Sequence, residues 1–404
     1  MENSSPFDLI DRAGPPGPLS GVRVLDLSSY IAGPYACAIL ADQGAAVIKI
    51  ESPQGDNLRQ YPSTLQAESR AFIGVNRGKL GIVLDLKQPA QHAVLLKLVR
   101  EADVLVHNFR PGVPLRLGID HERLNLINPR LIYCALTGYG ESGPLKDKAG
   151  YDQVLQTMTG MCVLQGKRGG PPEIIYGSVV DYYAAALLAA GVSSALFERE
   201  RSGLGQLVGI SLLRSALTMQ SARMVWAEDE SLDMGRDMRS GGVTGIHPAR
   251  EGHIYISANT PHFWKALCEK VGLPQLADDP RYDTVRKRAQ QGAVIVPQLH
   301  AALAAHTAFE WEALFGDAVP CAAARRVEDM FDHPQVLAEG IVASFDHPSL
   351  GTYRGVAQSI KFGRTPGPPS FAAPILGQDT DAVVARVNAL SDADLQPASR
   401  RERR

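Results

Sequence analysis

Val22-Arg-Val-Leu-Asp-Leu27, then Ser28-Ser-Tyr-Ile-Ala-Gly-Pro34 and a run to Asp42, then Ala45-Ala-Val-Ile-Lys-Ile50, is the stretch that decides the fold. Two apolar runs of strand length flank a turn and a helical segment. That order predicts a β-α-β unit, and such a unit requires parallel strands. Glu51-Ser-Pro-Gln-Gly-Asp56 follows as a loop at a strand C-terminal end, where α/β folds place ligands.

The pattern repeats downstream. Gly81–Leu86, Ala102–His107 and Leu131–Leu136 read as strands, with a helix from Pro89 to Arg100 between the first two. A helix is expected over Tyr151–Gly160, another from about Asp181 to Glu200, a strand over Val208–Ser211 and a helix over Leu212–Ala227. The expected fold class is therefore α/β, with a doubly wound, Rossmann-like large domain. Composition shifts after residue 225, where charged and then Gly-rich residues (228–245) resemble a linker and a loop. Three segments are expected: 1–225 of the large domain, a linker and smaller α-rich domain over 226–330, and a return to the large domain over 331–404. The last holds hairpin material around Pro348–Gly351, a Pro-rich stretch at 365–374 and a final helix near 380–390.

A chain of 404 residues exceeds one ordinary domain, in agreement with that division. Hydrophobic residues at 45% and charged residues at 21% fit a globular protein, and a net charge of −2 gives no global field for nucleic acid or a membrane surface. Cys37, Cys134, Cys162, Cys268 and Cys321 are scattered without a CxxC pair. They suit a reducing, cytoplasmic setting and offer no metal or disulfide framework. The N-terminal MENSSPFDLIDRAGPPGPLSG lacks the features of a signal peptide, and no apolar run reaches the roughly 18 residues of a membrane helix.

No GxGxxG follows the first strand, and GxxxxGK[ST], HExxH and GxSxG are absent. Arg59, Arg77, Lys79, Lys87, Asn108, Arg110 and Arg116 fall in or near strand-end loops. Converging, they would form a basic rim for a phosphorylated ligand; dispersed, they are ordinary surface charge. Asp181, in Gly177-Ser-Val-Val-Asp-Tyr-Tyr-Ala184, opens an apolar helix. It is either a cap for free N–H groups, the simpler reading, or a reactive carboxylate. Tyr151 and Asp152 read first as helix-start residues.

Six segments taken in order are similar to the family III CoA-transferases: 19–56, 76–87 (NRGKLGIVLDLK), 102–112 (ADVLVHNFRPG) with Arg116, 128–144 (NPRLIYCALTGYGESGP), 149–160 (AGYDQVLQTMTG) and the GSVVDYYAA stretch. The resemblance implies that Asp181 is the catalytic nucleophile, forming mixed anhydrides and an aspartyl-CoA thioester. It implies coenzyme A contacts at Tyr30, Ile31, Ala32, Leu84, Lys87, Asn108, Phe109 and Arg116, an active-site tyrosine at Tyr151, no metal, and a glycine loop at Gly241–Gly245. It also implies an interlocked homodimer, with acyl-CoA and a small carboxylic acid as the substrates.

Ile31 stands where formyl-CoA transferase has glutamine, and Pro320-Cys-Ala-Ala-Ala-Arg325 departs from the family's common Pro-x-Gly-Pro-Val, so formyl or oxalyl specificity is not expected. The racemases of the superfamily carry a histidine where this chain has Tyr151, which argues for transfer. Succinyl-CoA as donor and a dicarboxylate as acceptor are expected, the latter resting on Arg214, Arg223, His247 and Arg250. A racemase or isomerase, and a non-catalytic acyl-CoA-binding homologue, are the alternatives.

Overall fold

The computed structural model describes residues 5–10, 14–166, 170–230 and 242–390. The chain divides into two compact units, one holding the residues up to Val225 together with those from Gln335 onward, the other Trp226–Pro334.

The first unit is built on six parallel strands: β1 (Arg23–Asp26), β2 (Ala46–Glu51), β3 (Lys79–Val83), β4 (Val104–His107), β5 (Ile132–Thr137) and β6 (Leu207–Ser211), in the order β3-β2-β1-β4-β5-β6. Both faces are covered. Val24, Val47, Val106, Cys134 and Leu136 point into one core with α1 (Ala32–Asp42) and α7 (Val179–Ser202). Leu25, Ile48, Ile82, Leu105 and Tyr133 point into the other with α3 (Pro89–Glu101) and the last helix, α14 (Thr380–Ala389). Burial on both faces is why these strands read as continuous apolar runs, without polar alternation. Short helices α2 (Arg70–Val75), α4 (Val113–Leu117), α5 (His121–Ile127), α6 (Asp152–Met158) and α8 (Leu212–Thr218) complete the crossovers.

α8 stops at Thr218, well short of the expected Ala227; Met219, Met224 and Val225 beyond it are exposed. α7 ends on Gly203, which adopts a left-handed φ of 77° and donates its N–H to Arg199 O. Against the sequence reading, α7 has the length and composition to cross a membrane, and it does so alone among the described residues. Here it packs Val180, Ala184, Ala185, Leu188 and Val192 into the sheet core.

The C-terminal segment returns to the edge of the sheet. Asp379 exchanges hydrogen bonds with Gly81, Oδ2 accepting its N–H at 2.8 Å, and Thr380 Oγ1 accepts from Val83 N. These bonds cover the otherwise open side of β3. Within the second unit, β7 (Gly245–Pro248), β8 (His253–Ile256) and β9 (Cys321–Ala323) form an antiparallel sheet. It packs with α9 (Pro261–Lys270), α10 (Val285–Gln290), α11 (Gly292–Leu303) and α12 (Ala308–Phe315) around Trp264, Leu267, Leu299 and Trp311. The sequence reads as a strand over Ile254–Ala258 among helical patterns, which β8 meets; β7 and β9 complete a sheet beyond that reading. Past α13 (Pro334–Ala338), the expected hairpin is present as β10 (Val342–His347) and β11 (Gly351–Val356).

Candidate active site

The chain winds outward through β1, β2 and β3, then returns to β4 beside β1 and winds the other way. The C-terminal ends of β1 and β4 therefore flank the topological switch point, the place where such sheets bind ligands. A cavity of about 270 Å³ lies there, lined by the loops after β1 (Ser29–Ala32), β4 (Asn108–Pro111) and β5 (Leu136–Gly138), by 148–153, and by Ser178, Asp181 and Leu212.

Buried charge fixes the β1 loop. Lys49 donates to Ser28 O at 2.9 Å and to Asp56 Oδ2 at 3.1 Å; Asp56 Oδ1 accepts Tyr30 N–H at 3.0 Å. Tyr30 is held at φ 64°, a left-handed conformation that a side chain as large as tyrosine seldom takes. One strand further, Lys79 donates to Asp26, Pro34 O and Asn76, and Asp26 accepts from Ser28. Asn108 closes the loop from the β4 side: its Oδ1 accepts Ser29 N–H at 2.9 Å and its Nδ2 donates to Ser29 O at 2.7 Å. The result presents Tyr30, whose ring meets Tyr151 edge-on at 5.7 Å, to the cavity. Burial pushes the Tyr30 hydroxyl up, and the neighbouring Tyr151 phenol adds to the push.

Asp181 is the third residue of α7. It is not the cap. Asp152, in the first turn of α6, performs that task from 28 residues away, its Oδ2 accepting Val180 N–H at 2.6 Å and Asp181 N–H at 2.9 Å. No donor among the described residues bonds the Asp181 carboxylate. Burial, and then the like charge of Asp152, push it up to about 7. The backbone is tight beside this pair: a Cβ on Gly138 would come within 2.9 Å of Gly150 Cα, so both positions demand glycine for close approach.

Of the residues implied by resemblance, Tyr30, Ile31, Ala32, Asn108, Phe109, Tyr151 and Asp181 line this one cavity. Leu84, Lys87 and Arg116 do not. The Leu84 side chain is packed in the core with Ile82 and Leu95, while Lys87 and Arg116 are exposed past the ends of β3 and β4. The basic rim, the less favoured reading of the strand-end cations, is met only in part, by Asn108 and Arg110. Arg59 pairs with Glu51 and Glu68, Arg77 with Asp42, and Lys79 with Asp26, the three cations having side chains at most one-tenth exposed. The cations that do line the cavity are Arg110, Lys146 and Lys148, all exposed. The two lysines were missed, although the loop carrying them leaves a strand C-terminal end.

The cations proposed for a dicarboxylate fare unevenly: Arg250 pairs with Glu310 at 2.9 Å, and buried His247 bonds His300 and Val243 O. Arg214 is exposed and Arg223 half-buried. Gly241 of the expected glycine loop lies outside the described residues; Gly242–Gly245 leads into β7.

A doubly wound sheet with a buried carboxylate and exposed cations lining a cavity at its switch point defines an α/β protein with a ligand site where such sheets place one. The chain matches the family model for CoA-transferase family III over residues 19–380 and belongs to that family; it is a CoA-transferase. It is 36% identical over 336 residues to the acetyl-CoA:oxalate CoA-transferase of Acetobacter aceti, covering 82% of this chain and 86% of that one. It is 32% identical to the succinyl-CoA:glutarate CoA-transferase of Mus musculus, covering 92% and 86%. The solved structure of Rv3272 from M. tuberculosis is similar at a TM-score of 0.80 and 30% identity, covering 92% of this chain and all of that one. A CaiB/BaiF family protein from Brucella suis is similar at a TM-score of 0.79 and 27% identity.

Proposed function

We propose that the chain moves coenzyme A from an acyl-CoA, succinyl-CoA in the first instance, to a small dicarboxylic acid through covalent intermediates on Asp181. The Asp181 carboxylate attacks the thioester carbonyl and expels CoA thiolate, leaving a mixed anhydride. The thiolate attacks the aspartyl carbonyl, releasing the donor acid and leaving an aspartyl-CoA thioester. The acceptor carboxylate attacks that thioester, expelling the thiolate and forming a second anhydride. The thiolate then attacks the acceptor's acyl carbonyl, and Asp181 leaves as carboxylate. Every step conserves charge and needs no metal or external base.

The observation that carries this reading is a carboxylate at the switch-point cavity that is relieved of capping duty by Asp152. Exposed Arg110, Lys146 and Lys148 would meet the nucleotide phosphates, and Tyr30, Ile31, Phe109 and Tyr151 the pantetheine arm and acyl group. The acceptor class rests on relatives named succinyl-CoA:glutarate and succinyl-CoA–D-citramalate CoA-transferase. No histidine among the described residues lines the cavity, which favours transfer over racemisation. The working form we propose is a homodimer of threaded chains; Val154, Met158, Val163, Ile174 and Tyr176 are large, exposed apolar side chains on α6 and the segment before α7.

The test is incubation with succinyl-CoA and a panel of mono- and dicarboxylic acids, with hydroxylamine added to trap the acyl enzyme. The expected result is a hydroxamate on Asp181 only when acyl-CoA is present, and an inactive Asp181→Ala variant. Full turnover by Asp181→Ala would overturn the covalent route. Exchange of the α-proton with solvent would select a racemase, and binding without turnover a non-catalytic homologue.

A further inference from the structure

We infer that Asp152 is a positioning residue for the transfer reaction: from α6 it grips the first turn of α7 and fixes where the Asp181 carboxylate points. This rests on Asp181 being the nucleophile.

A helix of this length leaves its first N–H groups without intrahelical partners. The local chain does not supply them with a cap. Ser178, at the N-cap position, lies in the left-handed region (φ 52°, ψ 43°) and makes no side-chain cap bond, and Gly177 before it is also left-handed at φ 103°. The two successive left-handed residues turn the chain sharply into the helix. Asp152 takes over with one oxygen on both Val180 N–H and Asp181 N–H.

The other Asp152 oxygen is held in turn. Gln156, one helical turn on and fully buried, donates Nε2 to Asp152 Oδ1 at 2.5 Å. The same Gln156 amide donates to Ile175 O at 3.0 Å and accepts Ile175 N–H at 2.8 Å. One pair of side chains on α6 therefore holds both ends of the turn from Ile175 to Asp181. Asp152 is only 2% exposed, so it is a wall of the site and not a group open to water. With Asp152 on the nearest N–H groups, Asp181 has no reason to fold back onto its own helix, and its carboxylate remains for the cavity.

The arrangement has an electrostatic consequence. A second carboxylate this near adds to burial in making Asp181 harder to ionise, so the residue that aims the nucleophile also raises the pH at which it becomes active.

The experiment compares Asp152→Asn, which keeps an acceptor oxygen and removes the charge, with Asp152→Ala and Asp181→Ala. Turnover with succinyl-CoA is measured across pH, with KM for the donor and far-UV circular dichroism alongside. For Asp152→Asn the acid limb of kcat should move down by about one pH unit. For Asp152→Ala, kcat should fall about a hundredfold while KM for the donor changes little, as a misaimed nucleophile requires. An Asp152→Asn enzyme with the parent's pH profile and kcat would overturn the proposal, even if Asp152→Ala failed to fold. Retained turnover in Asp181→Ala would instead overturn the reading of Asp181 on which it stands.

Discussion

Lys49 and Asp56 form an ion pair of 3.1 Å with both side chains withdrawn from solvent, and the other oxygen of Asp56 accepts the N–H groups of Tyr30 and Leu58. Burial works against the Lys49 charge, and Asp26 and Asp56 more than offset it, holding its affinity for the proton above the ordinary value. Removing one partner strands the other charge in the core, at a cost of about 3–5 kcal/mol. Lys49→Met should lower the unfolding free energy by that amount, read as a lower denaturation midpoint. Lys49→Met with Asp56→Leu should recover much of it, because neither charge is then left alone. The double variant still loses the Tyr30 anchor, so its KM for acyl-CoA should stay raised. Chemical denaturation and donor kinetics on both variants separate the two effects.

Asp181 attacks only as the carboxylate, and burial together with Asp152 pushes it up to about 7. Formation of the trapped acyl enzyme should therefore rise with pH, with its midpoint near 7, and level off above. A flat profile through that region would contradict the assignment. Rapid quench with hydroxylamine at saturating succinyl-CoA reads the step directly.

The same shift has a stability side. The folded value lies above the ordinary 3.8, so the carboxylate costs nothing below 3.8, and the cost grows as pH rises to the folded value near 7. The full shift corresponds to about 4 kcal/mol, reduced to about 2 kcal/mol because Asp181 is partly exposed. Asp181→Asn should be inactive yet more stable than the parent by about that amount above pH 7, with the gap closing in acid. Denaturant titrations at two pH values measure it. Such an exchange of stability for activity is expected of a buried reactive group.

Gly138 and Gly150 meet backbone to backbone, each lining the cavity. A methyl group at 138 has only main chain to push against, and what yields is the segment carrying Tyr151 and Asp152. Gly138→Ala should cost about 1–3 kcal/mol in stability and lower kcat/KM. Gly209→Ala, on β6 with nothing within 4 Å of the added carbon, is the matched control and should leave turnover unchanged.

The doubly wound core was legible because its strands are buried on both faces and so stand out as unbroken apolar runs, as in Val22–Leu27 and Ala45–Ile50. The end of α8 was not, since Met224, Val225 and Trp226 look like a helix stripe but are exposed. Charge proved the least legible property. Arg59, Arg77 and Lys79 read as a surface rim because sequence displays a cation and hides its partner, here Glu51, Asp42 and Asp26. Asp181 was legible as a position but ambiguous in role. Caps are ordinarily supplied locally, and nothing in the sequence links Asp152 to a helix that starts 27 residues later.

His107 ends β4 behind Phe109, stacked on that ring at 5.4 Å and edge-on to Tyr133. Its Nδ1 accepts Phe109 N–H at 3.2 Å, and its buried Nε2 bonds no described residue. Protonation would bury a charge with no counterion, so burial pushes His107 down from 6.5 to about 4. Because the folded value lies below the unfolded one, the unfolded chain binds this proton first. Stability is full above 6.5 and is lost as pH falls from there toward 4, by about 2 kcal/mol at pH 5. His107→Asn keeps an acceptor two residues before Phe109 N–H and does not titrate in this range. Its stability should change less between neutral and acid pH than the parent's, by about that 2 kcal/mol, when both are followed by urea denaturation. Equal losses in the two proteins would assign the acid sensitivity to other groups.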